Sequence, residues 1–158
     1  MAGTRPALPD ATNGNFLLEA LHAANAHRAR HHAPPLAMDP LLVDYARSRA
    51  ASRSEYDDLR AGHGGLRAGT GENLFWAAGP DMSTAAQAVT SWYGEIAAYD
   101  WHRPRACHFS QLVWKDSTRM GAGRVAGQGS EHFETYIVFV FERPGNVSGE
   151  HRGNVLPA

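Results

Sequence analysis

The sequence has few of the groups that crosslink a chain or carry it to a membrane. Cys107 is the only cysteine, so an intramolecular disulfide is excluded and packing alone must stabilise the fold. The first ten residues contain no apolar run, so no secretory signal peptide is predicted. No stretch is long and apolar enough to predict a transmembrane segment. Two locations stay open: extracellular if a leader has been removed, and otherwise cytoplasmic or membrane-peripheral.

An excess of charge of one sign is also missing. The formal net charge of the 158 residues is -1, and the sequence contains no block of like charges. Such a chain exerts no global attraction on nucleic acid, so we predict no nucleic-acid partner. The length and the hydrophobic content of 43% are typical of one globular domain.

The first part of the chain predicts helices. A helix is expected over 16–32 with Asn15 as its cap, because apolar residues recur there at helical spacing: Leu17, Leu18, Leu21 and Ala24. Asp39 followed by Pro40 predicts the start of a second helix, since a capping carboxylate and an N1 proline favour helix initiation. This helix is expected to end near Ser54.

The second part predicts one more helix and then strands. The helix is expected to start at Asp81 or Ser83 and to include Glu95. Residues 119–125 and 133–141 predict the two strands of a hairpin. Both faces of the second strand are apolar, so it should be central and covered on both sides: Tyr136, Val138 and Val140 oppose Ile137, Phe139 and Phe141. Early helices and late strands indicate a layered α+β fold.

The domain organisation follows from the same pattern. Residues 1–14 include Pro6 and Pro9 and predict a flexible N-terminal tail. Residues 15–158 predict a single domain, because no internal repeat or linker divides them.

Four side chains are candidates for a binding site. His63 lies in the glycine-rich segment 62–71, and His108 lies in a short aromatic segment. Two neutral imidazoles that meet in the fold form a plausible Zn²⁺ or Cu²⁺ site. Glu72 and Glu95 are candidates to orient the imidazoles, or to act as ligands or bases. Sequence spacing alone does not bring the four together, so histidines with ordinary hydrogen-bond partners stay as the alternative.

His27 and His31 form a second candidate pair on the first predicted helix. They are four residues apart and share a face, which suits a metal site. Arg28 stands where the metalloprotease pattern has glutamate, and the neighbours are polar, so a solvated helix surface is the preferred interpretation. The alternative is that His31 packs at the helix end near Pro34.

Five ordered motifs resemble those of the CAP superfamily, which comprises cysteine-rich secretory proteins, antigen 5 and pathogenesis-related proteins and is also called the SCP domain. The motifs are Asn25-Ala-His-Arg28-Ala-Arg-His31 with Pro34 and Leu36, Gly71-Glu72-Asn73, Trp92-Tyr93-Gly94-Glu95, His108-Phe109-Ser110-Gln111-Leu112-Val113-Trp114, and Phe141-Glu-Arg-Pro144-Gly145-Asn146. The resemblance covers about residues 15–158, and the C-terminal end is most similar to the disulfide-poor Golgi-associated or bacterial branch.

The resemblance implies a three-layer α-β-α sandwich with a central, mostly antiparallel sheet and a large cleft. It places the family's cleft tetrad on His63, Glu72, Glu95 and His108, with His63 and His108 as the zinc ligands. It also implies a lipid or sterol ligand or a protein partner. We predict a monomer or a weak homodimer. Cys107 stands where the family usually has glycine, which adds a thiol beside the tetrad.

Three functions compete. The favoured hypothesis is a non-catalytic binding domain that binds Zn²⁺, or another divalent metal, through His63 and His108. The second is a metal-dependent hydrolase, a protease or esterase in which Glu72 or Glu95 acts as the base for zinc-activated water. Cys107 and Ser110 are poor nucleophile candidates, and two protein ligands are fewer than catalytic zinc usually has. The third is a purely structural tetrad on a recognition scaffold.

Overall fold

The computed structural model describes residues 3–56 and 62–158. In these ranges the elements are α1 (Gly14–Arg30), β1 (Ala37–Met38), α2 (Pro40–Ser54), β2 (Gly71–Ala78), α3 (Ala85–Tyr93), a 3₁₀ helix (Gly94–Ala98), α4 (His108–Leu112), β3 (Arg119–Gln128), β4 (Phe133–Glu142) and α5 (His151–Asn154). No helix in the described ranges combines the length and apolar character needed to cross a bilayer.

A four-stranded sheet forms the middle layer. The strand order is β1-β3-β4-β2, and β4 pairs antiparallel with both β3 and β2. The short β1 pairs parallel with the start of β3, where Ala37 lies beside Arg119. The predicted α+β class with a mostly antiparallel sheet is therefore confirmed, and β4 is central as its apolar faces predicted.

Helices cover both faces of this sheet. On one face α1, α3 and α4 pack on β4 and β3 in a core that includes Phe16, Ala20, Val89, Trp92, Phe109, Leu112, Ile137, Phe139 and Phe141. On the other face α2 packs in a second core with Leu42, Ala46, Ala50, Tyr136, Val138 and Val140. Burial of each large apolar side chain contributes roughly 1.5–3 kcal/mol. The α-β-α sandwich thus depends on the period-2 alternation of β4.

Glycine allows α2 to approach the sheet closely. A Cβ atom at Gly121 would collide with the backbone of Leu42, and one at Gly123 would lie 2.5 Å from the backbone nitrogen of Arg47. Both glycines are on β3 under the helix. Any larger side chain at these positions would push α2 away, and the site described below depends on α2.

The start of α2 agrees with its prediction, whereas α1 and α3 begin elsewhere. Asp39 caps α2 by accepting bonds from Leu41 and Leu42, and Pro40 is the first helical residue. The α1 cap is Asn13 rather than Asn15, and its side chain accepts from the Phe16 amide at 2.9 Å. The α3 cap is Thr84, in a reciprocal pair with Gln87. Several residues of a capping type lie within a few positions of each helix start, and the sequence alone does not show which of them is the cap.

The N-terminal segment differs from the predicted flexible tail. From Gly3 onward it lies on the molecule, and Asp10 forms an antiparallel bridge with Val125 on the outer edge of β3. The Ala11 amide donates to the Arg124 carbonyl at 2.8 Å, and the Ala126 amide donates to the Pro9 carbonyl at 2.9 Å. The prediction was wrong because the edge of β3 offers backbone partners that composition does not show.

A buried ion pair fixes the same segment further upstream. Arg5 donates to both carboxylate oxygens of Glu134 on β4, at 2.9 and 2.8 Å. Hydrogen bonding from Arg5 outweighs the effect of burial and lowers the pKa of Glu134 to about 2. Residues 5–11 are therefore held against the folded domain.

Candidate functional site

Glu72 is the anchor of one side of the cleft. It follows Gly71 at the start of β2, and its side chain is fully buried. Arg49 of α2 donates to its two oxygens at 2.6 and 2.7 Å and also to the Gly64 carbonyl at 2.9 Å. Burial alone would raise the pKa of Glu72, but the hydrogen bonds from Arg49 and then His63 lower it below its ordinary value. Glu72 is therefore a carboxylate at neutral pH.

This carboxylate orients His63. The Nδ1 of His63 lies 2.8 Å from Oε1 of Glu72. A carboxylate only accepts hydrogen bonds, so Nδ1 carries a proton, and in the neutral imidazole Nε2 is then the nitrogen with the lone pair. The imidazole itself is 53% exposed. It lies on a loop that Arg49 fixes by donating a hydrogen bond to the Gly64 carbonyl.

A second pair forms on the other side of the cleft. Glu95 lies on the 3₁₀ helix rather than on α3, where it was predicted, because the α-helix ends at Tyr93. Its Oε2 lies 2.7 Å from Nδ1 of His108, and its Oε1 accepts from the amides of His108 at 2.7 Å and Phe109 at 3.3 Å. The same reasoning places the proton of His108 on Nδ1. Trp92 stacks beside the His108 ring, with centroids 6.1 Å apart.

The two imidazoles line one cavity of about 450 Å³. Glu72 lines it as well, whereas Glu95 lies behind His108 and lines a neighbouring cavity of about 490 Å³. Cys107 lines both cavities and so forms part of the wall between them. Three of the four predicted side chains thus share a cavity, and the fourth reaches it only through His108. In residues 3–56 and 62–158, no cluster of three or more His, Cys, Asp or Glu side chains is arranged to hold a metal ion.

Sequence reasoning missed two residues that build this cavity. Arg49 fixes Glu72, but on α2 it stands among other arginines and nothing local distinguishes it. Asn146 lines the cavity, donates to the Cys107 carbonyl at 3.0 Å and accepts from the Ser110 hydroxyl. Its place in the closing motif was the signal that could have identified it. Ser110 is completely buried.

The predicted solvated surface around His31 was wrong. His31 is fully buried, with its ring nitrogens 2.7 Å from the Leu156 carbonyl and 2.8 Å from the Tyr93 hydroxyl. Arg28 is also fully buried and donates to four backbone carbonyls: those of Pro34, Leu112, Trp114 and Ser117. His27 stacks on Tyr93, with ring centroids 3.9 Å apart. Carbonyl groups from distant parts of the chain accept hydrogen bonds from the Arg28 and His31 side chains and so offset the cost of burying them.

Comparisons with known proteins agree with the fold. Over 148 residues the chain is 30% identical to the human Golgi-associated plant pathogenesis-related protein 1, covering 90% of this chain and 93% of that protein. It is 34% identical to a probable pathogenesis-related protein of Candida albicans, of which it spans only 44%. Pathogenesis-related protein 1C of Nicotiana tabacum is 35% identical, with 82% of this chain and 76% of that protein covered.

Solved structures give the same architecture. A crystal structure of NaASP2 with Zn²⁺ superposes with a TM-score of 0.60 at 18% identity and covers 93% of this chain and 90% of that one. The Schistosoma mansoni venom allergen-like protein 4 superposes with a TM-score of 0.58 at 20% identity, covering 85% and 92%. The sequence model of the cysteine-rich secretory protein family, CAP, matches residues 21–141. This match spans more than half of the chain, which therefore belongs to the cysteine-rich secretory protein family.

Proposed function

We propose that this CAP domain is a non-catalytic binding domain whose cleft binds a divalent metal ion, Zn²⁺, through Nε2 of His63 and Nε2 of His108. One observation carries the proposal. Each imidazole has its Nδ1 fixed on a glutamate, at 2.8 Å for His63 and 2.7 Å for His108, and both line the same cavity. Carboxylate–histidine pairs of this kind are the usual way in which proteins orient zinc-binding imidazoles.

The donor set fits a weak, open metal site. Two imidazoles are fewer ligands than structural or catalytic zinc sites provide, so water or a bound molecule would complete the coordination. NaASP2, a structural neighbour of low identity, was solved with Zn²⁺, which is compatible with this assignment. A bound Zn²⁺ would supply Lewis-acid chemistry, while His63 and His108 hold it and Glu72 and Glu95 keep the imidazoles in the required tautomer.

The rest of the cavity offers both polar and apolar groups to a ligand. Leu66, Ala106, Pro144 and the Cys107 thiol contribute apolar surface, and the side chains of Asn73, Gln111 and Asn146 contribute polar groups. The lipid or sterol partner stays a prediction.

Calorimetric titration with Zn²⁺ tests the metal site. Wild-type protein should give a saturable heat, and the His63→Ala and His108→Ala variants should each lose at least about tenfold in affinity, because one of two ligands is gone. His22→Ala is the matched control, since His22 is exposed on α1 and should leave the affinity unchanged. Equal Zn²⁺ affinity in wild type and in the double variant that combines His63→Ala with His108→Ala would exclude these two residues as the ligands.

A structural role for the tetrad is the second candidate, and a specific observation favours it. Glu72 connects β2, α2 and the His63 loop, while Glu95 connects the 3₁₀ helix to the start of α4. If this is the sole role, alanine substitution of each tetrad residue, His63, Glu72, Glu95 and His108, should lower the melting temperature without any difference in Zn²⁺ binding. The hydrolase alternative has less support, because Glu72 is held in a bidentate pair with Arg49 and its lowered pKa makes it a weak base.

A further inference from the structure

The neighbouring cavity behind Cys107 contains guanidinium donors that make no hydrogen bond to another described residue. Its lining comprises Glu95, Ala98, Tyr99, Asp100, Arg103, Arg105 and Cys107, and its volume of about 490 Å³ is in the range of small-molecule sites. Burial raises the pKa of Tyr99 to about 12, so the phenol stays protonated in this wall. Of this lining, the metal proposal uses only Glu95, which orients His108.

The two arginines of the cavity differ from most others in the chain. Among the described residues, nine arginine side chains donate to a carboxylate or a backbone carbonyl: Arg5, Arg28, Arg47, Arg49, Arg53, Arg119, Arg124, Arg143 and Arg152. Arg67 forms a longer ion pair with Glu142, at 3.9 Å. Within the same ranges, the guanidinium groups of Arg30, Arg103 and Arg105 have no such partner. Two of these three line one cavity.

The carboxylates beside them accept hydrogen bonds from other groups. Oδ1 of Asp100 accepts from the amides of His102 at 2.9 Å and Arg103 at 3.1 Å, and Arg105 is near enough for its charge to act on Asp100. Glu95 accepts from His108 and Phe109. Among the described residues, Arg103 and Arg105 therefore keep guanidinium donors free for a ligand. Two cationic and two anionic side chains line it, so its total charge favours a monoanion over a dianion such as phosphate.

We propose that this second cavity binds a small organic acid, with its carboxylate on Arg103 and Arg105 and its apolar body against Ala98 and the ring of Tyr99. Guanidinium groups form paired, charge-assisted hydrogen bonds with a carboxylate, which gives the site its preference for this group. The proposal goes beyond the metal site and requires no metal.

The test uses phenylacetate as the probe and NMR as the readout. Zn²⁺ is removed with a chelating resin, because a soluble polycarboxylate chelator would itself compete for the arginines. Titration should shift the ¹H–¹⁵N signals of Ala98, Arg103 and Arg105 in a saturable way. Phenylacetamide, which has the same shape without the charge, should bind about tenfold more weakly, and inorganic phosphate should also bind more weakly.

Variants assign the binding to the two arginines. The double substitution Arg103→Gln and Arg105→Gln should reduce phenylacetate affinity about tenfold, and both side chains are exposed, so the fold should not change. Arg30→Gln is the control: it also replaces an arginine by glutamine, but outside the cavity, and it should leave the phenylacetate affinity unchanged. An equal loss in Arg30→Gln, equal affinity for phenylacetamide, tighter binding of phosphate or shifts confined to other surfaces would each overturn the proposal. Because the protein is metal-free, this result is independent of the Zn²⁺ titration.

Discussion

The two histidine–glutamate pairs of the cleft form the same hydrogen bond in different surroundings. Glu72 is fully buried and takes a guanidinium from Arg49, whereas Glu95 is 36% exposed and takes two backbone amides at the start of α4. A carboxylate removed from water needs a full opposite charge, while one at the surface is held by peptide dipoles and solvent. The first pair should therefore be costly to disturb, and the second should tolerate conservative changes.

The largest effect is expected from Arg49→Leu. It would leave Glu72 without its countercharge and would also release the Gly64 carbonyl, so unfolding should require about 3 kcal/mol less free energy. Urea denaturation followed by circular dichroism measures this difference. The control is Arg119→Leu, in an exposed ion pair with Asp39 and Glu142, which should cost less than about 1 kcal/mol. Equal losses in the two variants would remove the distinction between the buried and exposed carboxylates.

A smaller effect is expected from Glu95→Ala. The amides of His108 and Phe109 would lose their acceptor, but the Glu95 side chain is 36% exposed, so water can take its place, and a loss of about 1–2 kcal/mol is predicted. Glu95→Gln keeps an oxygen for the amides and should retain most of the stability. The same urea experiment applies, and an alanine variant as stable as wild type would show that the contact contributes nothing.

The smallest effect on stability is expected from lowering the pH. The folded-state pKa of Glu72 is lowered, chiefly by Arg49 against the opposing effect of burial, from an ordinary value of 4.5. Its contribution to stability is therefore complete above pH 4.5 and falls as the pH drops through the folded-state pKa. Comparing unfolding free energies of wild type and Arg49→Leu between pH 7 and pH 3 isolates this component. If both lose stability in parallel, Arg49 does not set the acid response of Glu72.

The features that were predicted correctly depend on residues close together in the sequence. The alternation in β4 predicted its central place and both cores, and Asp39-Pro40 marked the start of α2. Each histidine–glutamate pair is also fairly local, with separations of nine and thirteen residues. Composition could not show that the two imidazoles line one cavity, because this depends on how β2 and α4 pack.

Most differences between the sequence predictions and the structure involve polar side chains whose partners are distant in sequence. Arg28 looked like part of a solvated helix face, yet its guanidinium bonds carbonyls 84–89 residues away in sequence. Arg49 similarly gave no signal, since its partner Glu72 lies across the fold on β2. Hydrophobic periodicity describes which face of an element is buried, but it does not reveal a buried cation whose acceptors come from another element.

The bridge between Asp10 and Val125 has a consequence for handling the protein. Residues 9–11 occupy the outer backbone positions of β3 around Arg124–Ala126, and β1 pairs with only the first two residues of this strand. Truncation before Gly14 would leave unpaired amides and carbonyls along a free strand edge, which is a template for intermolecular β-pairing. A shortened chain should therefore self-associate, and affinity tags are better attached at the C-terminus than in place of these residues.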